Sequence, residues 1–162
     1  MYNDIKYDLN EYVVHDDQQI KGFFGPYRWL SNFEPCIIEH EDLVYPSTEN
    51  AYQAAKIVPE QRHVFLGMKA SQSKRMWQNY KRLYTDEQWT EVKNDVMYKV
   101  LSEKFSSKNP DLRSKLLETG EKYLEETNHW KDVWFGVYYK TGEGQNYLGK
   151  LLMQVRSEIK AE

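Results

Sequence analysis

The sequence predicts an α+β fold, a single domain dominated by helices with a small antiparallel sheet. Two segments, residues 86–105 and 146–160, each carry an apolar stripe at helical spacing. Two others, residues 11–24 and 36–45, are rich in β-branched and aromatic residues on either side of a polar turn. The first pair predicts long helices. In the second pair, residues 11–24 predict a hairpin or two short strands, and residues 36–45 predict a hairpin.

The first hairpin turns at Asp16-Asp17-Gln18, and Gly25-Pro26 ends the run. Residues 27–33, Y-R-W-L-S-N-F, show no clear period and predict an ordered loop. The second hairpin turns at His40-Glu41-Asp42, and its return strand leads into the segment that organises the chain.

That segment, residues 45–56 (Y-P-S-T-E-N-A-Y-Q-A-A-K), predicts a helix of about two to three turns. Ser47 and Thr48 are good N-cap residues, and Pro59 prevents continuation. One helical face carries small or apolar residues: Ala51, Ala54, Ala55 and Val58. The other carries polar ones: Glu49, Gln53 and Lys56. We expect the polar face to be available for chemistry; a solvated surface face is the simpler alternative.

Helix-capping residues and helix-breaking residues predict the remaining helices. Residues 59–67 predict a short helix ended by Gly67, and residues 71–80 predict one capped by Ser71. The helix over 86–105 starts with the capping box of Thr85 and Gln88. Asn109-Pro110 starts another helix that ends at Gly120, and residues 122–126 are too short to assign. From residue 128 onward, aromatics mixed with glycines and single polar groups are typical of a binding site.

Composition indicates one domain over residues 1–162, with 40% hydrophobic and 29% charged residues. A net charge of -3 gives no broad electrostatic footprint for nucleic acid. The 13 tyrosines and 5 tryptophans exceed what packing alone needs and suit sugars or bases. Cys36 is the only cysteine, and we find neither a signal peptide nor a long apolar stretch, so we expect a cytoplasmic protein with no membrane partner.

The sequence lacks the common metal-binding and nucleotide-binding motifs. The four histidines are scattered, so we predict no metal site, and no P-loop or dinucleotide fingerprint calls for a cofactor. Cys36 is predicted to be a small buried hydrophobic residue rather than a nucleophile. Glu49 and Lys56 are about 10 Å apart along one helix, where they can hold opposite ends of a ligand. Asp132, among aromatic residues, is either a carboxylate in an aromatic pocket or a turn cap.

Four blocks of this sequence resemble the NADAR, or YbiA-like, N-glycosidase family over about residues 23–156. The blocks are F-F-G-P-Y-R-W-L-S-N-F, Y-P-S-T-E-N-A-Y-Q-A-A-K, W-T-E-V-K-N-D-V-M and N-H-W-K-D-V-W-F-G-V with its continuation G-Q-N-Y-L-G-K-L-L-M-Q-V-R. One departure concerns the residue before Gly136, where the family usually has Trp. Here Phe135 stands at that position and Trp134 one residue earlier.

The resemblance implies a YbiA-like fold and a hydrolase that cleaves the bond between ribose C1 and an exocyclic amine. Its main implied substrate is ADP-ribose attached to guanine in nucleic acid, so the reaction would reverse ADP-ribosylation. The alternative substrates are phosphorylated ribosylamino-pyrimidine intermediates of riboflavin synthesis. A catalytically silent module that binds ADP-ribose or nucleotides is the alternative from another class, and an interaction protein ranks last.

The resemblance also implies residue roles. Lys56 would attack as a nucleophile and form a Schiff base, with Glu49 binding ribose or shuttling a proton and Asp132 as a further acid or base. Direct hydrolysis with paired carboxylates is the rival mechanism. The predicted substrate-binding residues are Phe24, Ser31, Asn32, Gln53, Trp89, Trp134, Phe135, Asn146 and Arg156. For Trp89, packing in the core is an equal alternative. A basic patch could guide a nucleic acid strand: Lys69, Lys74, Arg75, Lys81 and Arg82.

Overall fold

A computed structural model describes residues 12–162 of the chain. By contacts, the chain divides into two compact units. The central unit is Asn32–Ser114, and the terminal unit combines the described residues up to Ser31 with Lys115–Glu162. The single-domain organisation stays a prediction.

Helices and strands are both present, which confirms the α+β class. The strands are β1 (Val14–His15), β2 (Gln19–Lys21), β3 (Pro35–His40), β4 (Leu43–Ser47), β5 (Tyr123–Glu125), β6 (Thr127–Asn128) and β7 (Val137–Tyr138). The α-helices are α1 (Thr48–Ala54), α2 (Ala70–Met76), α3 (Asp86–Lys104), α4 (Pro110–Glu118) and α5 (Tyr147–Lys160). Three 3-10 helices cover Gly25–Leu30, Pro59–Gly67 and Trp77–Asn79.

In the terminal unit, the three-stranded sheet has the order β1-β2-β5. The predicted hairpin is confirmed, because β1 and β2 are antiparallel, whereas β2/β5 and β6/β7 are parallel pairs. The purely antiparallel expectation is therefore wrong for this unit. The unassigned residues 122–126 supply β5, because pairing with a strand distant in sequence, which no local pattern reveals, fixes them as a strand.

Helix α5 lies against β5 at a glycine. A Cβ at Gly149 would stand 2.1 Å from the Leu124 carbonyl oxygen, so only glycine allows this approach. Asn146, with φ +53°, precedes the helix; its Oδ1 accepts from the Glu126 N–H and its Nδ2 donates to the Leu124 carbonyl. The predicted apolar face is buried at Leu148, Leu152, Val155 and Ile159.

The central unit is built around the hairpin of β3 and β4, which confirms the second predicted hairpin. Strand β4 runs directly into α1, and α3 packs against β3. Thr85 and Gln88 form the predicted capping box of α3. The apolar stripe of α3 is buried only from Met97 onward, since Trp89, Val92 and Val96 are half-buried.

Two local predictions are corrected. Residues 27–33 are not all loop, because a 3-10 helix over Gly25–Leu30 buries Trp29 and Leu30; Pro26 suits its first turn. Ser71 does not cap α2, which begins at Ala70 with Lys69 as its N-cap. The Lys69 N–H donates to the Gln72 side chain instead. Over residues 12–162, no helix is both long and apolar enough to cross a membrane.

Candidate active site

The site is built on α1, whose start is fixed by side chains. Ser47 Oγ accepts a hydrogen bond from the Asn50 N–H (3.1 Å) and donates to Asn50 Oδ1 (2.6 Å). Asn50 Nδ2 donates in turn to the carbonyls of Phe65 and Met68, both at 2.8 Å. The short helix is therefore tied to the segment that follows it, as well as to its own cap.

The polar face of α1 is buried, so the alternative of a solvated face is wrong. Glu49 is 7% exposed and Gln53 is 5% exposed. Gln53 Nε2 donates to Glu49 Oε1 at 2.8 Å, and Gln53 Oε1 accepts no hydrogen bond from any described residue. A buried carboxylate next to an amide with a vacant acceptor is an arrangement suited to hydroxyl or amine donors of a ligand.

Lys56 lies one residue beyond Ala55, the C-cap of α1, and its amine lies among aromatic rings. Its Nζ is 4.2 Å from the centroid of Trp77, 5.3 Å from Tyr52 and 5.8 Å from Trp89. Lys56 also lines a small pocket together with Trp77, Arg82, Tyr84 and Trp89. The amine is thus placed at a small aromatic pocket.

The surroundings of Lys56 favour its neutral form. The pKa of Lys56 is lowered to about 8: burial lowers it most, the charge of Glu49 raises it, and Lys93, Arg82 and Lys74 lower it by charge repulsion. At pH 7 about a tenth of such amines are neutral, against well under a thousandth for an ordinary lysine. A neutral amine is the nucleophilic form.

The segment carrying Arg82 and Tyr84 runs beside Lys56. The Leu83 N–H donates to the Lys56 carbonyl (3.0 Å), and an isolated antiparallel bridge joins Ile57 and Arg82. The Arg82 guanidinium lies 5.7 Å from the Trp77 centroid and pairs with Asp86 at 2.5 Å. These backbone contacts hold the pocket wall against the residue that bears the amine.

Of the predicted site residues, five meet in the central unit: Lys56, Glu49, Gln53, Trp89 and Asn32. The Asn32 carbonyl accepts from the Glu49 N–H (3.0 Å), and its Nδ2 donates to the Met97 sulfur (3.6 Å). Asn32 Oδ1 is buried and accepts no hydrogen bond within residues 12–162. Trp89 is half-buried and lines the pocket, so it is not purely a core residue.

The other predicted polar residues lie in the terminal unit and make intramolecular hydrogen bonds. Asp132 Oδ1 accepts from the N–H groups of Trp134 and Phe135, both at 3.0 Å, as the turn-cap alternative expects. Arg156 Nη1 donates to Thr119 Oγ1 at 2.8 Å. Asn146, just before α5, accepts from the Glu126 N–H through its Oδ1. A role in catalysis or substrate binding stays a prediction for Asp132, Asn146 and Arg156.

Aromatic and hydroxyl candidates of the terminal unit have neighbours within that unit. Phe24 is buried and packs edge-on against Trp130, with the ring centroids 6.3 Å apart. Trp134 packs on Tyr147 with centroids 5.0 Å apart, and Ser31 and Phe135 are half-buried. Substrate contact by Phe24, Ser31, Trp134 and Phe135 stays a prediction.

The family model described as NADAR domain matches residues 17–160. The chain belongs to the NADAR family. Among the residues that the structure describes, no group of three or more His, Cys, Asp or Glu side chains is arranged to hold a metal ion.

Relatives within this family carry two kinds of name. A protein of Vibrio vulnificus named as a riboflavin biosynthesis protein is 36% identical over 94% of this chain, but the chain spans only 41% of that relative's length. N-glycosidases of Nostoc punctiforme and Shigella boydii, the latter named YbiA, are each 32% identical. They match 83% and 95% of this chain, and 87% and 89% of their own lengths.

The NMR structure of the Escherichia coli protein YbiA has a similar fold. It superposes with a TM-score of 0.76 at 28% sequence identity, over 92% of this chain and 89% of that chain. The fold of this NADAR chain is therefore shared with a solved member, as the sequence predicted.

Sequence reasoning missed two aromatic residues of this NADAR pocket, Trp77 and Tyr84. Both line the space beside Lys56. Their signal was present as aromatics interleaved with basic residues in M-W-Q-N-Y-K-R-L-Y. That pattern is typical of surfaces on which bases stack and phosphates bind, but only its cations, Lys81 and Arg82, were among the predicted residues.

Proposed function

We propose that this chain is an N-glycosidase that hydrolyses the bond between ribose C1 and an exocyclic amine, with Lys56 as the nucleophile. The observation that carries the proposal is the Lys56 amine, whose pKa of about 8 and position among three aromatic rings suit attack on a sugar carbon. The names of the Nostoc and Shigella relatives support the same reaction class.

The proposed reaction begins with opening of the ribose ring. The bond between C1 and the ring oxygen breaks, the exocyclic N–H proton passes to that oxygen, and C1 forms an imine with the exocyclic nitrogen. Neutral Lys56 adds to C1, both of its protons pass to the exocyclic nitrogen, and the bond from C1 to that nitrogen breaks. The base leaves as a free amine and a Schiff base remains between C1 and Lys56. Water then adds to C1, the lysine amine leaves, and the sugar closes again.

Glu49 is the proposed partner on the sugar side. Its carboxylate is buried and held by Gln53, and its charge raises the pKa of Lys56. A carboxylate in this place can accept ribose hydroxyl hydrogens or carry a proton between Lys56 and the leaving nitrogen. Asp132 remains the further proposed acid or base.

ADP-ribose on guanine in nucleic acid is the proposed substrate. The aromatic pocket walls suit a planar base, and the cationic side chains whose charges reach Lys56 (Lys93, Arg82 and Lys74) suit phosphate groups. Phosphorylated ribosylamino-pyrimidines are the second candidate, because the Vibrio relative is named as a riboflavin biosynthesis protein. Both substrates share the exocyclic C1–N bond on which the proposed chemistry depends.

The test offers purified protein an ADP-ribosylated guanine oligonucleotide and, separately, a ribosylamino-pyrimidine phosphate, and measures the released base by mass spectrometry. We expect turnover of at least one. Borohydride added during turnover should leave a sugar adduct on the Lys56 peptide. Lys56→Arg should reduce the rate by about a thousandfold or more, since arginine keeps the charge but cannot form the imine.

Lys115→Arg is the matched control, because Lys115 is exposed on α4, and it should keep the wild-type rate. Turnover without any adduct, together with loss of activity in Glu49→Gln and retained activity in Lys56→Arg, would establish direct hydrolysis by carboxylates instead. Tight binding of ADP-ribose without turnover of either substrate would contradict the enzyme proposal and indicate a binding module instead.

A further inference from the structure

The C-terminal end of α1 lacks the glycine that commonly ends a helix. The last carbonyls of a helix have no partner within it, and a glycine in the left-handed region often allows the chain to satisfy them. Here Ala55 is the C-cap in a right-handed conformation, and residues 55–58 read A-K-I-V. The Ala54 carbonyl accepts from the Ile57 N–H at 3.2 Å, so the Ala55 and Ile57 carbonyls are the ones that need a donor from another group.

Arg62, on the 3-10 helix Pro59–Gly67, supplies that group. Its Nε donates to the Ala54 carbonyl at 3.0 Å and the Ile57 carbonyl at 3.1 Å, and its Nη2 donates to the Ala55 carbonyl at 3.4 Å. Nη1 pairs with Glu41 in the turn between β3 and β4. Arg62 is 5% exposed, so water does not compete for these hydrogen bonds.

The carbonyl of Lys56 is bound from a different segment of the chain. It accepts from the Leu83 N–H at 3.0 Å, and the next contact in the same direction joins the Val58 N–H to the Lys81 carbonyl, also at 3.0 Å. The backbone on both sides of Lys56 is thus held by one guanidinium, and Lys56 itself is held by the pocket wall.

We propose that Arg62 is a positioning residue for Lys56: by binding the carbonyls of Ala54, Ala55 and Ile57 it fixes the turn that aims the amine between the aromatic rings. The proposal rests on Lys56 being the nucleophile of the proposed function. A planar guanidinium with several donors binds three carbonyls at once, which an ammonium cannot do with the same geometry. A displacement of about 1 Å at a reacting group costs on the order of 100-fold in rate.

The test uses Arg62→Lys and Arg62→Ala, with Glu41→Gln as the matched control. Arg62→Lys should lower kcat about 100-fold, whereas KM should change by less than about threefold. Guanidinium ion added to Arg62→Ala should restore part of kcat. Glu41→Gln removes the charge partner but leaves all three carbonyl contacts, so its kcat should stay near the wild-type value.

A second readout needs no activity. The pH dependence of Lys56 acetylation by a pulse of acetic anhydride, followed by mass spectrometry, gives the titration midpoint of the amine. Its charged neighbours are Glu49 on α1, Lys74 on α2, Arg82 beside the pocket and Lys93 on α3. When Arg62 no longer holds the turn, the amine should reach water, and the midpoint should rise by about one pH unit in Arg62→Lys. The Lys115 peptide is the internal standard.

The outcomes separate this inference from the proposed function. If the wild type shows no glycosidase activity but the acetylation midpoint of Lys56 still rises in Arg62→Lys, the positioning role stands and the proposed function is overturned. A folded Arg62→Lys variant with unchanged kcat and unchanged midpoint would overturn the positioning role alone. Loss of the circular dichroism signal in both Arg62 variants would assign Arg62 to fold stability and also overturn the proposal.

Discussion

Lys56 is under opposing electrostatic influences that can be changed one at a time. Burial and the cations Lys93, Arg82 and Lys74 lower its pKa, while Glu49 raises it. The aromatic rings around Nζ also attract the charged form, yet the pKa stays near 8, so the loss of hydration dominates.

The first prediction concerns the pH dependence of kcat/KM. Activity should rise with pH and level off above an apparent pKa near 8, because the neutral amine attacks. Lys93→Met removes a repelling cation and should move this limb to higher pH. Glu49→Gln removes the stabilising anion and should move the limb of its remaining activity to lower pH. Limbs that stay at the same pH in both variants would contradict Lys56 as the titrating group.

The second prediction concerns stability. The unfolded chain keeps the Lys56 proton up to about pH 10.5, whereas the folded chain releases it near pH 8, so wild-type stability rises with pH between these values. Below pH 8 the protonated buried amine destabilises the fold. Lys56→Met should therefore raise the free energy of unfolding at pH 7 by about 1 to 3 kcal/mol. The upper figure corresponds to the whole lowering of the Lys56 pKa, from 10.5 to about 8, expressed as a free energy.

Urea unfolding at several pH values between 6.5 and 9.5 checks this result. The gain in Lys56→Met should shrink as the pH rises above 8, because the wild-type amine becomes neutral. Lys115→Met, at an exposed position, should show no such pH dependence. A Lys56→Met variant less stable than the wild type at pH 7 would show that the contacts with the aromatic rings outweigh burial.

Spacing alone placed Glu49, Gln53 and Lys56 on one face of a short helix. The structure confirms that helix for Glu49 and Gln53, but the helix ends at Ala54, and Lys56 lies beyond its C-cap. Spacing did not reveal that this face is buried, because burial depends on which distant segments cover it. Trp77 and Arg82 approach Lys56 from a segment more than twenty residues away. The chemistry assigned to these residues came from the family resemblance rather than from the pattern.

At the scale of elements, the sequence predicted the features that depend on neighbouring residues, namely helix caps and hairpin turns. The caps at Ser47 and Thr85 start their helices as expected, and both hairpins form around their polar turns. The parallel pairing of β2 with β5 was not predictable, because about a hundred residues separate the partners Ile20 and Leu124. Asn50 was also missed, since its two carbonyl acceptors lie beyond α1.

The third prediction tests how α5 approaches β5. Gly149→Ala would place a Cβ 2.1 Å from the Leu124 carbonyl oxygen and 2.4 Å from Asn146 Nδ2. The backbone must shift to relieve this overlap, so we expect a loss of at least about 2 kcal/mol in unfolding free energy despite the better helix propensity of alanine.

Gly67→Ala is the matched control, because no atom lies within 4 Å of the added Cβ and its φ is not positive. Its effect should stay within about 0.5 kcal/mol. Urea midpoints measured at one pH compare the two variants directly. Equal midpoints would mean that α5 moves away from β5 without cost, contrary to the close packing described above.

At the scale of the whole molecule, the net charge of -3 limits how nucleic acid can be held. Attraction must come from a local patch, and the predicted patch residues Lys69, Lys74, Arg75, Lys81 and Arg82 are all exposed. Arg82 also lines the pocket beside Lys56, so the patch and the candidate site are continuous within the central unit. A substrate held by this patch should respond to salt, whereas a small phosphorylated ribosylamine should respond much less.

The fourth prediction uses that difference to identify the substrate. For an ADP-ribosylated oligonucleotide, KM should rise steeply with sodium chloride, and its log–log slope should fall by about 1 in Arg75→Gln and again in Lys81→Gln, one phosphate contact each. Lys115→Gln, which is exposed outside the patch, should keep the wild-type slope. Because Arg75, Lys81 and Lys115 are not among the charges that shift the pKa of Lys56, kcat should be unchanged in all three variants. A KM insensitive to both salt and these substitutions would indicate that the chain recognises only the modified nucleotide, which favours the small ribosylamine substrates over nucleic acid.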